Sequence, residues 1–217
     1  MDFIEGLPRS GRFNCILVVV DKFSRFAHFI PLIHPFSAAT MASAFMETVY
    51  KLHGSPEQII SDRDRIFNSN FWRQLFASTG TTLSMSSSYH PQTDGQSERV
   101  NQCLEGYLRC FAHSCLTKWI QWLTMAKFWY NTSLHSALGK SPFEVLFART
   151  PRHLGSTPAS LCTVLDLQAW LEEHQLMQEL LRQHLERVCL RMKHQADKKR
   201  RARKEASVPL QWVIQFS

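Results

Sequence analysis

Four acidic residues stand where a strand or helix is predicted to end or begin. Asp2 lies in a short apolar segment, Asp21 closes the run ILVVV, Asp62 closes QIIS, and Glu98 follows a turn-rich loop. Three converging carboxylates would repel one another and take up a proton unless cations neutralised them. Divalent cations held by such oxygens can activate an attacking oxygen and stabilise the leaving oxygen of a phosphodiester. The pattern therefore favours metal-dependent phosphoryl chemistry, and the choice among the aspartates stays open at this point.

The stretch SSSYHPQTDGQSERVN, residues 86–101, passes from turn formers into a helical pattern. An acid in the first turn of a helix also has a simpler explanation, because it interacts favourably with the exposed N–H groups there. Glu98 therefore has two competing interpretations, as a helix-stabilising acid or as one of the converging carboxylates.

The elements before this loop alternate between strands and helices. Residues 14–32 predict a hairpin with a polar turn at 21–25, residues 37–54 an amphipathic helix capped by Ser37, and residues 57–61 a strand. A helix ending near Gly80 and a strand over 81–86 follow. Such alternation predicts an α/β layer with a mixed sheet and helices on its faces.

The second half of the chain reads as helical. Apolar spacing predicts helices over 97–115 and 118–134, and a short helix over 140–149 with Ser141 as its N-cap. The Trp-rich segment 118–131 has the periodicity of core packing. We place the end of the folded domain near residue 150, a linker over 151–165, and a long helix with a basic end over 166–204.

Charge and cysteine usage limit the possible partners and classes. The chain has 217 residues and a net charge of +7, and seven basic residues against one acid fall in 193–204. This basic run, which contains Lys198, Lys199, Arg200 and Arg201, is typical of a phosphate-contacting or nuclear-targeting segment, although a solvated helix end is the simpler interpretation. Six cysteines show no zinc-finger spacing, and the sequence has no apolar run long enough to cross a bilayer. We expect an intracellular protein that binds a polyanion and no membrane; DNA as that polyanion, and a nuclear location, are expected from the family resemblance given next.

Several ordered motifs resemble the integrase catalytic core of gypsy-type LTR retrotransposons, a member of the retroviral integrase superfamily. They are MDFIEGLP, ILVVVDKFSRFAHFIPL, KLHGSPEQIISDRDRIF, SSSYHPQTDGQSERVNQCLEGYLR and WYNTSLHSALGKSPFEVLF, and together they span residues 1–150. The resemblance implies a ribonuclease H-like fold, with a five-stranded mixed sheet flanked by helices.

The resemblance also implies a metal-binding triad of two aspartates and a glutamate, with thirty-five residues between the second and third acids. Asp62 and Glu98 have this interval, and Asp2 takes the first position. The implied metal is Mg²⁺ or Mn²⁺. Asp21, Asp64 and Asp94 are then expected to be structural or solvated.

The implied reactions are 3′-end processing of element DNA and strand transfer into target DNA, by a protein that forms a homo-oligomer when active. Residues in and after the 86–101 loop are candidate DNA contacts: Tyr89, His90, Gln92, Gln96, Arg99 and Asn101. Because one residue precedes Asp2 and residues 205–217 resemble the start of a further domain, we expect a truncated, weakly active fragment. The alternatives are an inactive nucleic-acid-binding remnant and a nuclease of the ribonuclease H type.

Overall fold

The computed structural model describes residues 1–62, 64–85, 95–112, 116–152 and 164–172, together with positions 175, 176, 179 and 183. Within these residues the chain forms five strands and a set of helices in an α/β arrangement. The strands are β1 (Asp2–Ile4), β2 (Cys15–Val20), β3 (Ala27–Leu32), β4 (Gln58–Ser61) and β5 (Thr82–Met85). The predicted hairpin and the two later strands are confirmed.

Strand β2 is the centre of a three-stranded antiparallel sheet. It pairs with β1 in the register Asp2 opposite Val18, and with β3 in the register Leu17 opposite Ile30. Four consecutive residues of β2, from Cys15 to Val18, are fully buried. A strand covered on both faces needs a continuous apolar run, which is why this segment shows no alternation with polar residues.

Strands β4 and β5 pair in parallel, with Gln58 opposite Thr82 and Ser61 opposite Met85. The amino group of Met1 donates a hydrogen bond to the carbonyl oxygen of Ile60 at 2.6 Å, so β1 begins beside the end of β4. In the described residues, strand pairing thus defines one three-stranded and one two-stranded sheet. A single continuous five-stranded sheet stays a prediction.

Helices lie between β3 and β4, between β4 and β5, and after β5, and the first continues through a π-helical segment into the second. They are α1 (Ala38–Phe45), the π-helical Met46–Tyr50, α2 (Lys51–His53), α3 (Asn70–Ala77), α4 (Gly95–Ala112), the 3₁₀ turn Leu116–Lys118, α5 (Trp119–Thr132) and α6 (Pro142–Phe147). The predicted cap residues are confirmed: Ser37 Oγ accepts from Thr40 N, and Ser141 and Glu144 form a reciprocal capping box. Gly54 and Gly80 both have a φ of 74°, which suits their positions just after helices.

Two apolar clusters cover the two faces of the β1–β2–β3 sheet. On one face Leu17 and Ile30 pack with Phe45, Trp72 and Phe76, so this layer involves α1 and α3. On the other face Ile16, Val18 and Phe29 pack with residues of α4 and α5, among them Leu104 and Trp119. Burial of Trp119, Leu123 and Ala126 supports the core role predicted for the Trp-rich segment. The two layers fix α4 across β1 and β2.

Most of the predicted linker, and much of the predicted long helix with its basic end, lie outside the described residues. Residues 165–172 and the isolated positions 175, 176, 179 and 183 are helical. None of the helices in the described part combines the length and the apolar character that a bilayer crossing requires.

Candidate active site

Asp2 is held in place from two sides. It is the first residue of β1, and its own backbone neighbour Phe3 donates an N–H to Asp2 Oδ1 at 2.8 Å. Asn101, in α4, donates through its side-chain amide to Asp2 Oδ2 at 2.6 Å. The carboxylate is therefore oriented by its own strand and by the helix that crosses that strand.

Asp62 comes directly after β4, at the end of the strand that lies next to Met1. Its Oδ1 accepts a hydrogen bond from Asp64 N at 3.2 Å. Met1 contacts Ile60. Asp2 is next to Met1 in the chain and Asp62 is two residues after Ile60, so both aspartates lie close to this contact. Both predicted aspartates thus belong to one edge of the strand layer.

Glu98 is part of α4, but its side chain lies outside the described residues. Its position in the helix is still informative, because residues three apart lie on the same face of an α-helix. Asn101, three positions later, contacts Asp2. The backbone at Glu98 therefore belongs to the helix face turned towards Asp2, and the three-carboxylate site stays a prediction.

The expected structural roles of two other acids are confirmed. Asp21 Oδ2 accepts from Ser24 N at 2.7 Å and from Ser24 Oγ at 2.6 Å, which closes the turn between β2 and β3. Asp64 Oδ1 accepts from Ile66 N at 2.8 Å. Each carboxylate stabilises a local turn. Asp94 lies outside the described residues.

Most of the candidate DNA contacts cannot be placed. Tyr89, His90 and Gln92 lie outside the described residues, as do the side chain of Gln96 and the basic residues Lys198, Lys199, Arg200 and Arg201. Arg99 is exposed on α4. Asn101 is the candidate whose contact to an acidic residue is defined, and its role there is to orient Asp2.

The residues present suit a hard divalent cation. Asp2 and Asp62 supply carboxylate oxygens, the ligands that Mg²⁺ prefers. Asn101 Oδ1 is buried and has no hydrogen-bond partner among the described residues, although the nitrogen of the same amide contacts Asp2. An unpaired buried acceptor beside a carboxylate fits a site that is completed by a cation or by the hydroxyl group of a substrate. Among the side chains described, which exclude that of Glu98, no three acids, histidines or cysteines converge as metal ligands.

A pair formed by buried His28 and exposed His53 was missed by the sequence reasoning. Lys127 Nζ contacts His28 Nδ1 at 3.1 Å, and His28 Nε2 contacts His53 Nε2 at 2.8 Å. An ammonium group only donates, so neutral His28 accepts from Lys127 at Nδ1 and donates to His53 through Nε2. Burial, then Lys127 and then His53, lower the pKa of His28 to about 3. The three residues come from β3, α2 and α5, so local spacing holds no signal that could have grouped them.

The chain was compared with known families and relatives. Residues 1–91 match the family model described as the integrase core domain. The Transposon Tf2-3 and Tf2-4 polyproteins of Schizosaccharomyces pombe are each 37% identical to this chain over 151 residues, which are 70% of this chain. The chain spans 11% of the length of these curated relatives.

Two solved structures show the fold. The HTLV-2 integrase catalytic core domain in complex with magnesium, in a trimeric form, has a TM-score of 0.53 at 19% identity, over 66% of this chain and 93% of that one. The simian T-cell lymphotropic virus intasome in complex with the PP2A regulatory subunit B56 gamma has a TM-score of 0.58 at 17% identity, over 72% and 57%. Sequence family, relatives and fold agree, and the chain carries an integrase core domain of the LTR-retrotransposon type.

Proposed function

We propose that this chain is an integrase core that catalyses metal-dependent 3′-end processing and strand transfer of DNA, with Asp2, Asp62 and Glu98 as its catalytic carboxylates. The observation that carries the proposal is the 2.6 Å hydrogen bond between Asn101 and Asp2. It connects two motifs that are 99 residues apart and fixes the helix that contains Glu98 against the strand that contains Asp2.

The chain's own residues contribute position and charge. Asp2 is preorganised, because both of its oxygens already accept hydrogen bonds from fixed groups. Asp62 follows a strand whose partner β5 lies in the same layer. When bound, Mg²⁺ or Mn²⁺ would supply activation of the attacking oxygen and charge stabilisation of the leaving oxygen.

Both reactions are in-line displacements at phosphorus. In the first, the oxygen of water attacks a phosphodiester near the 3′ end of element DNA and the 3′-hydroxyl of the retained strand leaves. In the second, the oxygen of that 3′-hydroxyl attacks a phosphodiester of target DNA, which joins the element strand to the target 5′-phosphate and releases the 3′-hydroxyl of the cut target strand. Asn101 Oδ1 is buried beside Asp2 and has no partner in the part of the chain that the structure describes, so it is suited to accept a hydrogen bond from the attacking group.

The partners and setting belong to the same proposal. DNA is the substrate, a homo-oligomer is the active form, and the nucleus is the site of action. Among the fold neighbours are a viral intasome and an integrase catalytic core in a trimeric form. We further propose that β1 to β5 form one continuous mixed sheet, since Met1 already bridges the two sheets.

A strand-transfer assay in Mn²⁺ with element-end duplexes tests this function. We expect Asp62→Asn and Glu98→Gln each to lower product formation by at least about a hundredfold, because each removes a charge with little change of shape. Asp64→Asn is the matched control: it is two residues from Asp62, and Asn retains an oxygen that can accept from Ile66 N. Equal loss in Asp64→Asn would contradict the assignment, and DNA binding without any cleavage by the wild-type chain would select the inactive remnant.

A further inference from the structure

The turn between β2 and β3, residues 21–25, has a fixed shape. Arg25 N donates to the carbonyl oxygen of Asp21 at 2.9 Å, and Asp21 N donates to that of Phe26 at 2.9 Å. The Asp21 carboxylate accepts from Ser24, which is itself buried. Arg25 adopts a φ of 64°, a conformation that a non-glycine residue enters only when its surroundings impose it. The turn is a rigid platform.

This platform presents an aromatic side chain to solvent. Phe23 is 84% exposed, the largest exposed fraction among the large apolar side chains that the structure describes. Phe26, in contrast, turns inward and packs edge-on against Phe147 of α6 at a ring separation of 5.7 Å. A single exposed ring is ordinary on a protein surface, so its value as a binding group depends on the residues beside it.

Phe23 stands next to an exposed cation. Lys22 beside it is exposed, and the neighbouring acid, Asp21, is oriented by Ser24. With Arg25, the 21–25 turn carries two basic residues and one acid. Among the described residues Arg25 Nε is buried and has no hydrogen-bond partner, so this atom faces away from solvent. An exposed ring next to an exposed cation matches a ligand that combines planar bases with phosphates.

The turn also lies close to the carboxylates. Asp2 pairs with Val18, and Asp21 is three residues further along the same strand direction, which corresponds to about 10 Å. A DNA strand bound at Asp2 can therefore reach the turn.

We propose that the 21–25 turn is a binding site for single-stranded DNA, in which Phe23 stacks on an unpaired base and Lys22 contacts an adjoining phosphate. The inference rests on the proposed function, since it assigns a further contact for the same substrate. Unpaired bases are the preferred target because a duplex hides the faces of its bases, whereas stacking on an aromatic side chain is a general mode of single-strand binding.

The test measures binding by the whole 217-residue chain with Ca²⁺ in place of Mn²⁺. The probes are a fluorescent blunt duplex and the same duplex with a five-nucleotide single-stranded overhang. Phe23→Ala is expected to weaken overhang binding about tenfold and to leave blunt-duplex binding within about twofold. Lys22→Ala is expected to lower the magnitude of the slope of log K against log salt by about one. Because both side chains are exposed, neither substitution threatens the fold.

Lys51→Ala and Leu52→Ala form the matched control pair, since they place the same kind of exposed cation and apolar side chain on α2. The proposal is overturned if Phe23→Ala affects both probes equally, if the control pair has the same effects, or if the wild-type chain binds neither probe. It is also overturned if Phe23→Ala changes the sedimentation coefficient without changing DNA affinity, because Phe23 would then contact a second copy of the chain.

The outcome is separable from that of the proposed function. If overhang binding depends on Phe23 but the chain shows no strand transfer, the 21–25 turn is supported as a DNA-binding site and the catalytic assignment is refuted. If the chain catalyses strand transfer but Phe23→Ala does not change DNA binding, the catalytic assignment is supported and the DNA-binding role of the turn is refuted.

Discussion

Asn101 places a neutral hydrogen-bond donor against the carboxylate of Asp2. Its side chain is 2.6 Å from Asp2, so Asn101→Asp would place a second carboxylate against the first. Two carboxylates at that distance cannot both ionise easily, and the pKa of one would rise. We expect strand transfer in Asn101→Asp to fall at least tenfold at neutral pH and to recover partly as the pH rises and the shared proton is lost.

A pH profile of strand transfer by the wild type, Asn101→Asp and Asn101→Ser checks this expectation. The serine variant also loses the amide but adds no charge, so it should lack the recovery at high pH. A profile for Asn101→Asp parallel to that of Asn101→Ser would mean that charge repulsion with Asp2 is not the cause.

At the scale of single residues, the sequence proposes which acids are catalytic, and this stays a prediction, but it holds no signal for the groups that support them. Asp2, Asp62 and Glu98 follow from motif and spacing, and the turn role of Asp21 was also foreseen. The hydrogen bond from Asn101 to Asp2 depends on how α4 crosses β1, which no local pattern specifies. The unpaired state of Asn101 Oδ1 depends on the same packing.

At the scale of elements, the His28–His53–Lys127 contacts join β3, α2 and α5 and should make stability depend on pH. His28 has a pKa of about 3 in the folded state, against 6.5 as its ordinary value. Below pH 6.5 the unfolded chain therefore binds a proton that the folded chain does not, so stability falls as the pH falls. We expect the free energy of unfolding to drop by about 2 kcal/mol from this group between pH 6.5 and about pH 4.5.

Urea unfolding at several pH values, for the wild type and His28→Gln, measures this contribution. The glutamine retains hydrogen-bonding groups but does not titrate, so its stability should depend less steeply on pH over that range. NMR titration of the His28 ring in the folded wild-type chain is the independent check. A midpoint near 6.5 would contradict the lowered pKa.

Elements with local signals were predicted with small errors at their ends. The helix stop at Gly54, the cap at Ser37 and the capping box at Ser141 depend on neighbouring residues, and all are present. Helix α4 was expected to begin at Ser97 but begins at Gly95, because the turn formers before it join the first turn. The π-helical widening at Met46–Tyr50 was not predicted, since nothing in the amphipathic pattern of 37–54 distinguishes it from α-helix.

At the scale of the whole molecule, the predicted catalytic acids and the most basic segment lie in different parts of the sequence. The predicted acids belong to the α/β core, whereas residues 193–204 carry seven basic residues and one acid. Phosphate contacts by such a run are independent of base sequence and act by releasing counterions from DNA. We therefore propose that this run supplies nonspecific affinity while the core supplies the geometry of the reaction.

Replacing the seven basic residues of 193–204 by glutamine tests that division. Each phosphate contact contributes about 0.9 to the slope of log K against log salt for duplex DNA, so loss of several contacts should lower the magnitude of the slope by several units. A variant with the same twelve residues in scrambled order is the matched control, and it should retain the wild-type slope because counterion release depends on charge rather than order. An unchanged slope in the glutamine variant would show that the run is a solvated helix end. A reduced slope in the scrambled variant would show that the order of the residues, and hence a defined contact, carries the affinity.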